Sequence, residues 1–304
     1  EFRRVLFRSM SDIEINFESY HAVIRSNGAG LSVLKYQNRD LVEPFQNVQP
    51  TKYQGDVLAP WPNRIMDGKY SYKGKNYQAP VNEKTRNNAL HGLVNNVPWE
   101  VKDVSTSHVR LKTMLKSSDA YPGELDLEIL YSLNHQGLKI EIKSTNVGSN
   151  SVPYGVSIHP YLIADSSTKV DEWILKIKSG KYFRVDSERL LPISIESIPK
   201  EFDFREGMRI SNTFIDHAFL LEFEGNPSEI SLTSANGQGV VMRHSENLTW
   251  VQIHTADRDG GADSRRCLAV EPMTCPPDAF NSGIDVVELN PGDVHRSHWL
   301  ISAI

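Results

Sequence analysis

Cysteine is nearly absent from this chain of 304 residues: Cys267 and Cys275 are too few for a disulfide framework, and neither belongs to a Cys-x-x-Cys or Cys/His ligand cluster. A reducing compartment, and hence a cytoplasmic location, is expected. Runs of about 18 or more apolar residues are also missing, so no membrane-spanning helix is expected. Lysines, arginines and carboxylates are mixed along the chain and leave a formal net charge of −5. With no basic block to track a phosphate backbone, nucleic acid is excluded as the expected partner. Neither a dinucleotide fingerprint nor a phosphate loop occurs, so no cofactor is expected. No metal is expected either: His295-Arg296-Ser297-His298 lies in a strand pattern, and Asp257-Arg258-Asp259-Gly260-Gly261 opens like a calcium loop but lacks the later ligands and reads as a turn.

Helical periodicity is weak as well, since no stretch of about 12 residues keeps an apolar stripe every 3.6 positions. Period-two alternation recurs instead. Val109, Leu111 and Thr113, then Leu125 to Leu133 at every second position, then Leu138, Ile140 and Ile142, each alternate with polar neighbours. Turn residues separate these strands: Gly74 supplies a positive φ for one hairpin, and further hairpins are expected at Asn134 to Gly137 and at Ser179-Gly180. About fifteen or more short strands, each burying one face, require two facing sheets. The fold class read from this pattern is all-β, a large antiparallel β-sandwich, with a barrel as the lesser alternative. The 39% hydrophobic content supports one large core. Residues 1–9 read as a non-native extension and 10–304 as a single domain, since no linker or internal repeat divides the chain. Loop-like segments at 42–63, 80–98, 201–217 and 255–266 are long enough to be functional.

Five polar clusters lie among turn formers or at ends of apolar strands: Ala59-Pro60-Trp61-Pro62-Asn63-Arg64-Ile65, Asn88-Ala89-Leu90-His91-Gly92, Ser157-Ile158-His159-Pro160-Tyr161, Phe214-Ile215-Asp216-His217-Ala218-Phe219, and Cys267-Leu268-Ala269-Val270-Glu271-Pro272-Met273-Thr274. Read singly, His91, His159 and His217 are more often structural than catalytic, Arg64 is more often an ion-paired arginine, and Asp216 fits a turn. Glu271 follows a buried-strand run and precedes Pro272, which is expected to end the pairing. A carboxylate there needs either an ion pair or a reactive role. Trp61 reads either as a packing residue or, partly exposed in a polar loop, as a platform for the apolar face of a sugar.

Taken in this order, the clusters resemble the aldose 1-epimerase (galactose mutarotase) family over about residues 20–300. The matching segments are Asn63-Arg64-Ile65, Leu90-His91-Gly92, His159-Pro160-Tyr161, Asp216-His217-Ala218-Phe219 and the late Glu271. Ala59-Pro60-Trp61-Pro62, Leu93 after Leu-His-Gly, and Pro272-Met273-Thr274 after the glutamate depart from the commoner pattern. They are similar to a bacterial subgroup that includes a mutarotase of sulfoquinovose breakdown. The resemblance implies a galactose-mutarotase-like β-sandwich with Glu271 as base and His159 as acid. It also implies that Arg64, His91 and Asp216 bind sugar hydroxyls, with Asn63 and Trp61 beside them. The partner is then a small-molecule sugar, and the protein a monomer or homodimer. Anomer exchange needs one base to take the C1 hydroxyl proton and one acid to protonate the ring oxygen, which suits a Glu and a His.

Three other functions stay open at this level. One is a non-catalytic carbohydrate-binding sandwich; a second is a glycoside hydrolase using Asp216 and Glu271. The third is a hexose-phosphate epimerase drawing on Arg258, Arg265 and Arg266.

Overall fold

The computed structural model describes residues 12–45, 52–223, 228–258 and 261–304. The segment 1–9, and Asp259 and Gly260 of the expected turn, lie outside them. Among the described residues the only α-helix is Ala279–Ser282, and nearly all other regular structure is strand. No helix there is long and apolar enough to cross a membrane.

Two large antiparallel sheets carry the architecture. The nine-stranded sheet is built around Leu125–Asn134, Gly137–Asn146 and Val294–Ala303, joined in that order, with Gly239–His244 next. Leu125–Asn134 alternates buried and half-buried residues along its whole length, as the sequence pattern requires. Its register puts Ile129 opposite Ile142 and Tyr131 opposite Ile140, so β-branched and aromatic side chains pair across the inner face. The six-stranded sheet runs Tyr161–Leu162, Leu268–Met273, Trp250–His254, Asp216–Leu221, Ser179–Val185, Pro192–Ser197. Residues of both sheets share one buried cluster, including Ile129, Tyr131, Ile140, Trp299, Val251, Ile253 and Val270. The Trp299 indole N–H donates to the Pro272 carbonyl at 3.2 Å and ties one sheet to the other.

Three expected turns can be compared with the structure. Gly74 has φ +78° in the hairpin joining Lys69–Tyr72 to Lys75–Gln78, and Asn134 pairs with Gly137 across a second hairpin. Ser179-Gly180 is not a hairpin. The strand before it, Ile174–Lys176, belongs to the nine-stranded sheet and the strand after it to the six-stranded one, so the chain crosses between layers there. Gly180 lies in a bulge where a Cβ would come within 2.3 Å of the Glu222 carboxylate; its small size serves close approach rather than a tight turn.

Pro272 does not end its strand either. Leu268–Met273 continues through it, with Val251 opposite Pro272 and Trp250 opposite Met273. Val270 and Thr274 send their N–H groups to Pro160 and Val156, so position 272, of the same parity, faces that irregular segment. The missing N–H is therefore not taken from the ladder with Trp250–His254.

The loop before the fifth cluster's partner strands is fixed by a close backbone approach. Gly55 has φ +70°, and a Cβ on it would lie 1.8 Å from the Leu31 carbonyl oxygen, while its own N–H donates to the His159 carbonyl at 2.8 Å. Gly55→Ala is expected to cost about 2–4 kcal/mol of unfolding free energy. Urea denaturation of the two proteins measures this, and an unchanged midpoint would show that the loop yields freely.

Candidate active site

Alternation along three neighbouring strands places the polar members of the sequence clusters on one face of the six-stranded sheet. Val270 joins the core, and Glu271, one residue on, points the other way. Gln252 lies directly opposite Glu271 on the next strand, and Asp216 lies opposite His254 on the one after. This face floors a cleft of about 690 Å³ lined by Asn63, Arg64, His91, His159, Asp216 and Glu271, among others. All four long loop segments contribute to its walls: Lys52 and Tyr53, then Glu83 and Arg86, then Phe214, then Asp257 and Arg258.

Local geometry fixes each side chain. Arg64 and Leu90 are partners in a short antiparallel pair, and both residues after the pair turn left-handed, His91 at φ +65° and Gly92 at φ +74°. A side chain at 92 would meet the Ala59 carbonyl oxygen at 2.1 Å, which leaves glycine as the residue that fits. Asn63 and His91 clamp each other: His91 N–H donates to the Asn63 carbonyl at 2.9 Å, and Asn63 N–H donates to His91 Nδ1 at 3.2 Å. Asn63 Oδ1 also accepts from the Arg64 N–H at 2.9 Å. Its role in the structure is to hold the turn from which Arg64 and His91 project. His159 is held through its backbone, donating to the Asp56 carbonyl at 3.0 Å and accepting from Gly55. Asp56 is in turn anchored by a buried ion pair with Arg25 and by the Asn95 amide at 3.2 Å.

His159 Nε2 stands 3.3 Å from Glu271 Oε1, and both residues are at most 5% exposed. The His91 ring meets His159 edge-on at 5.0 Å, and Tyr53 packs on both imidazoles at 4.7 and 6.4 Å. Burial pushes the Glu271 carboxyl well above the usual carboxylate range, Asp216 reinforces this, and Arg64 opposes it. Burial likewise lowers His159 to about 3, assisted by His254 and opposed by Asp216. Low polarity thus drives both groups toward their neutral forms, and the pair holds one proton between them. Asp216 is different: burial raises its carboxyl, but Arg64, His254 and a 2.6 Å hydrogen bond from the Gln252 amide outweigh that and hold it below its ordinary value.

His91, His159 and Glu271 offer ligand atoms within 4.8 Å of one another, a donor set of the kind divalent cations take. The hydrogen bond from Asn63 opposes that use. It occupies the Nδ1 lone pair and leaves the proton of the neutral ring on Nε2, so His91 has a donor to offer and no free lone pair.

Residues 11–302 match the family model described as aldose 1-epimerase. The chain belongs to the aldose 1-epimerase family. An uncharacterized Escherichia coli protein, YihR, is 39% identical over 280 residues, covering 91% of this chain and 88% of its own. The human galactose mutarotase is 26% identical over 276 residues, covering 83% of this chain and 78% of its own. Among solved structures, the aldose epimerase homologue from C. elegans superposes with a TM-score of 0.86 at 21% identity, covering 97% of this chain and 99% of that one. That likeness is one of fold, a galactose-mutarotase-like β-sandwich.

In this aldose 1-epimerase family member the site residues read from the sequence are brought together except for Trp61. Trp61 is only 2% exposed, packs on Phe280 at 5.8 Å and belongs to the core, so it is not the partly exposed platform expected of it. The Pro60-Trp61-Pro62 segment turns the indole inward, whereas Phe214, 49% exposed, is the aromatic at the cleft wall. His217 points to the opposite face of its strand from Asp216, against Phe202 at 4.9 Å and Tyr182 at 5.7 Å. Of the arginines considered for a phosphate, Arg258 lines the cleft, bound to Glu43 at 2.7 Å; Arg265 is held by Asp171 and Asp257.

Sequence reasoning missed Gln252, His254, Glu83 and Tyr53. Gln252 and His254 alternate with Val251 and Ile253 as any half-exposed strand would, and only the ladder to Glu271 and Asp216 marks them. Glu271 Oε2 and Gln252 Oε1 are buried acceptors with no partner among the described residues. Both line the cleft, where a hydroxyl donor would satisfy them.

A pH dependence of stability follows from His159. Its folded-state value of about 3 lies below its ordinary 6.5, so the unfolded chain takes up this proton first as pH falls. The stability gained by keeping the ring neutral is complete above about pH 6.5 and is lost as pH falls toward about 3. Relative to wild type, His159→Gln should therefore gain unfolding free energy over that window, by several kcal/mol and at most about 5. Denaturant titrations at stepped pH measure it; a constant difference between the two proteins would contradict a buried neutral His159.

Proposed function

We propose that this protein is a mutarotase, an isomerase that interconverts the α and β anomers of a free aldose by acid and base catalysis. The observation that carries this reading is the buried Glu271–His159 pair at the floor of the cleft, 3.3 Å apart and holding one proton. Glu271 as carboxylate takes the proton of the C1 hydroxyl, the C1–O5 bond breaks, and His159 as imidazolium protonates O5, giving the open-chain aldehyde. The residues end as neutral acid and neutral imidazole. Rotation about C1–C2 and the reverse proton transfers close the ring with the other configuration at C1.

The charge-separated and neutral arrangements contain the same single proton, so the cycle draws none from solvent. Burial disfavours the charge-separated arrangement and narrows its gap to the neutral one, which is the arrangement reached when the ring is open. Arg64 and the His91 Nε2–H act as donors to sugar hydroxyls, and Asp216 and the Gln252 amide oxygen act as acceptors. These are the groups that a sugar, with hydroxyls as both donors and acceptors, requires.

One observation favours an aldose bearing an anionic group. Lys52 and Arg258 line the same cleft, and Arg258 together with burial depresses the Lys52 ammonium. A sulfonated or phosphorylated hexose would relieve that repulsion.

The test uses pure anomers of glucose, galactose, sulfoquinovose and a hexose 6-phosphate, followed by polarimetry or NMR. Wild type should accelerate equilibration of at least one, and Glu271→Gln and His159→Gln should each lower the enzymatic rate by about 10²–10⁴. Failure to accelerate any of them would leave a sugar-binding protein without catalysis. Cleavage of a glycoside under the same conditions would point to a hydrolase. Mutant rates equal to wild type would remove Glu271 and His159 from the chemistry.

A further inference from the structure

We infer that Glu83 is a positioning residue that fixes the Arg64 guanidinium and offsets its charge beside the Glu271–His159 pair. Glu83 accepts from Arg64 Nε at 3.0 Å and from Arg64 NH2 at 3.1 Å, a bidentate contact that leaves the guanidinium one orientation. The same carboxylate accepts from Arg86 at 3.2 Å and from the Asn88 amide at 2.9 Å, so four donors converge on it. Its backbone is pinned too, because Glu83 and Asn88 exchange both N–H to carbonyl bonds. Asp216 stands farther from Arg64, at 3.7 Å, and spends its other oxygen on Gln252. Glu83 therefore aims Arg64, and Asp216 is left to face the cleft.

The electrostatic consequence runs through Arg64. The titratable and charged groups facing the pair are Arg64 and His91 from the paired loops, Asp216 and His254 from the sheet, Tyr161, and Tyr53 above the imidazoles; Lys52, Arg86, Asp257 and Arg258 line the wider cleft. Arg64 is the positive charge that acts directly on Glu271, and it favours loss of the Glu271 proton. With Glu83 only 10% exposed, its negative charge reaches Arg64 with little screening. Removing it exposes the pair to the full field of the guanidinium, which lowers the proton affinity of both Glu271 and His159.

The inference rests on the mutarotase reading only for its effect on rate, and the decisive measurement needs no sugar. The Glu271 carboxyl carbon and His159 imidazole nitrogens are titrated by NMR in wild type, Glu83→Gln and Glu83→Asp, after thermal melts confirm folding. In Glu83→Gln the pair should titrate roughly one unit lower, while Glu83→Asp, which keeps the charge, should stay near wild type. If mutarotation is observed, the whole pH–rate profile of Glu83→Gln should move down by the same amount and kcat/KM at neutral pH should fall about tenfold. Coincident titrations of Glu83→Gln and wild type would overturn the inference, as would a loss of rate equal at every pH. Should Glu83→Gln fail to fold, Arg64→Gln is compared with Arg64→Gln/Glu83→Gln. The single variant, retaining the carboxylate, should then titrate higher than the double variant, and identical titrations would overturn the inference. A wild type that accelerates no aldose would defeat the mutarotase reading and leave this titration standing.

Discussion

A carboxyl and an imidazole held 3.3 Å apart beneath nearly complete burial set the demands that the rest of this protein meets. Neither group could be kept charged and alone in such surroundings, because desolvation of an unpaired ion costs several kcal/mol. Sharing one proton keeps the pair neutral overall while leaving two arrangements of that proton close in energy. The environment must then be rigid, since a gap of even an ångström would admit water and replace the shared proton with solvated ions.

Rigidity comes from placing the carboxyl on a central strand and the imidazole on a segment tied at both backbone polar groups. Leu268–Met273 is buried at every position, with core on one face and cleft on the other. Across the pair from it, the His159 backbone is clasped by Gly55 and Asp56, and Asp56 is moored to Arg25 in the core. The left-handed turn through His91 and Gly92 gives the second histidine a fixed tautomer through Asn63. Each of these supports is a backbone contact or a buried polar bond, so the site is positioned by secondary structure rather than by mobile side chains.

Charge balance explains why so many ionisable groups can crowd one cleft. Arg64 is bracketed by Glu83 and Asp216, Arg258 by Glu43, and Asp216 is further tied to Gln252. Asp216 is thereby held as an anion while Glu271, lacking such a bidentate partner, is driven toward its protonated form. Two carboxyl groups on one sheet face thus acquire opposite protonation tendencies from their neighbours alone.

The period-two patterns at 125–133 and 138–142 were sufficient to specify strands and an all-β sandwich, because alternation fixes which face of a strand is buried whatever it packs against. The ordered clusters around Arg64, His91, His159, Asp216 and Glu271 were likewise legible, since turn formers beside titratable residues mark loop and strand ends. Pairings between distant segments were not. Gln252 and Glu83 look like ordinary polar residues until the ladder sets one opposite Glu271 and the loop closure sets the other under Arg64. Trp61 looked like a surface aromatic until the chain turned it into the core, and Ser179-Gly180 looked like a hairpin until its flanking strands joined different sheets. A local sequence determines period and turn chemistry, because those depend on neighbouring residues. Which polar groups meet, and which proton they share, was decided only by tertiary structure, because proton affinity depends on burial and on charges brought from far along the chain.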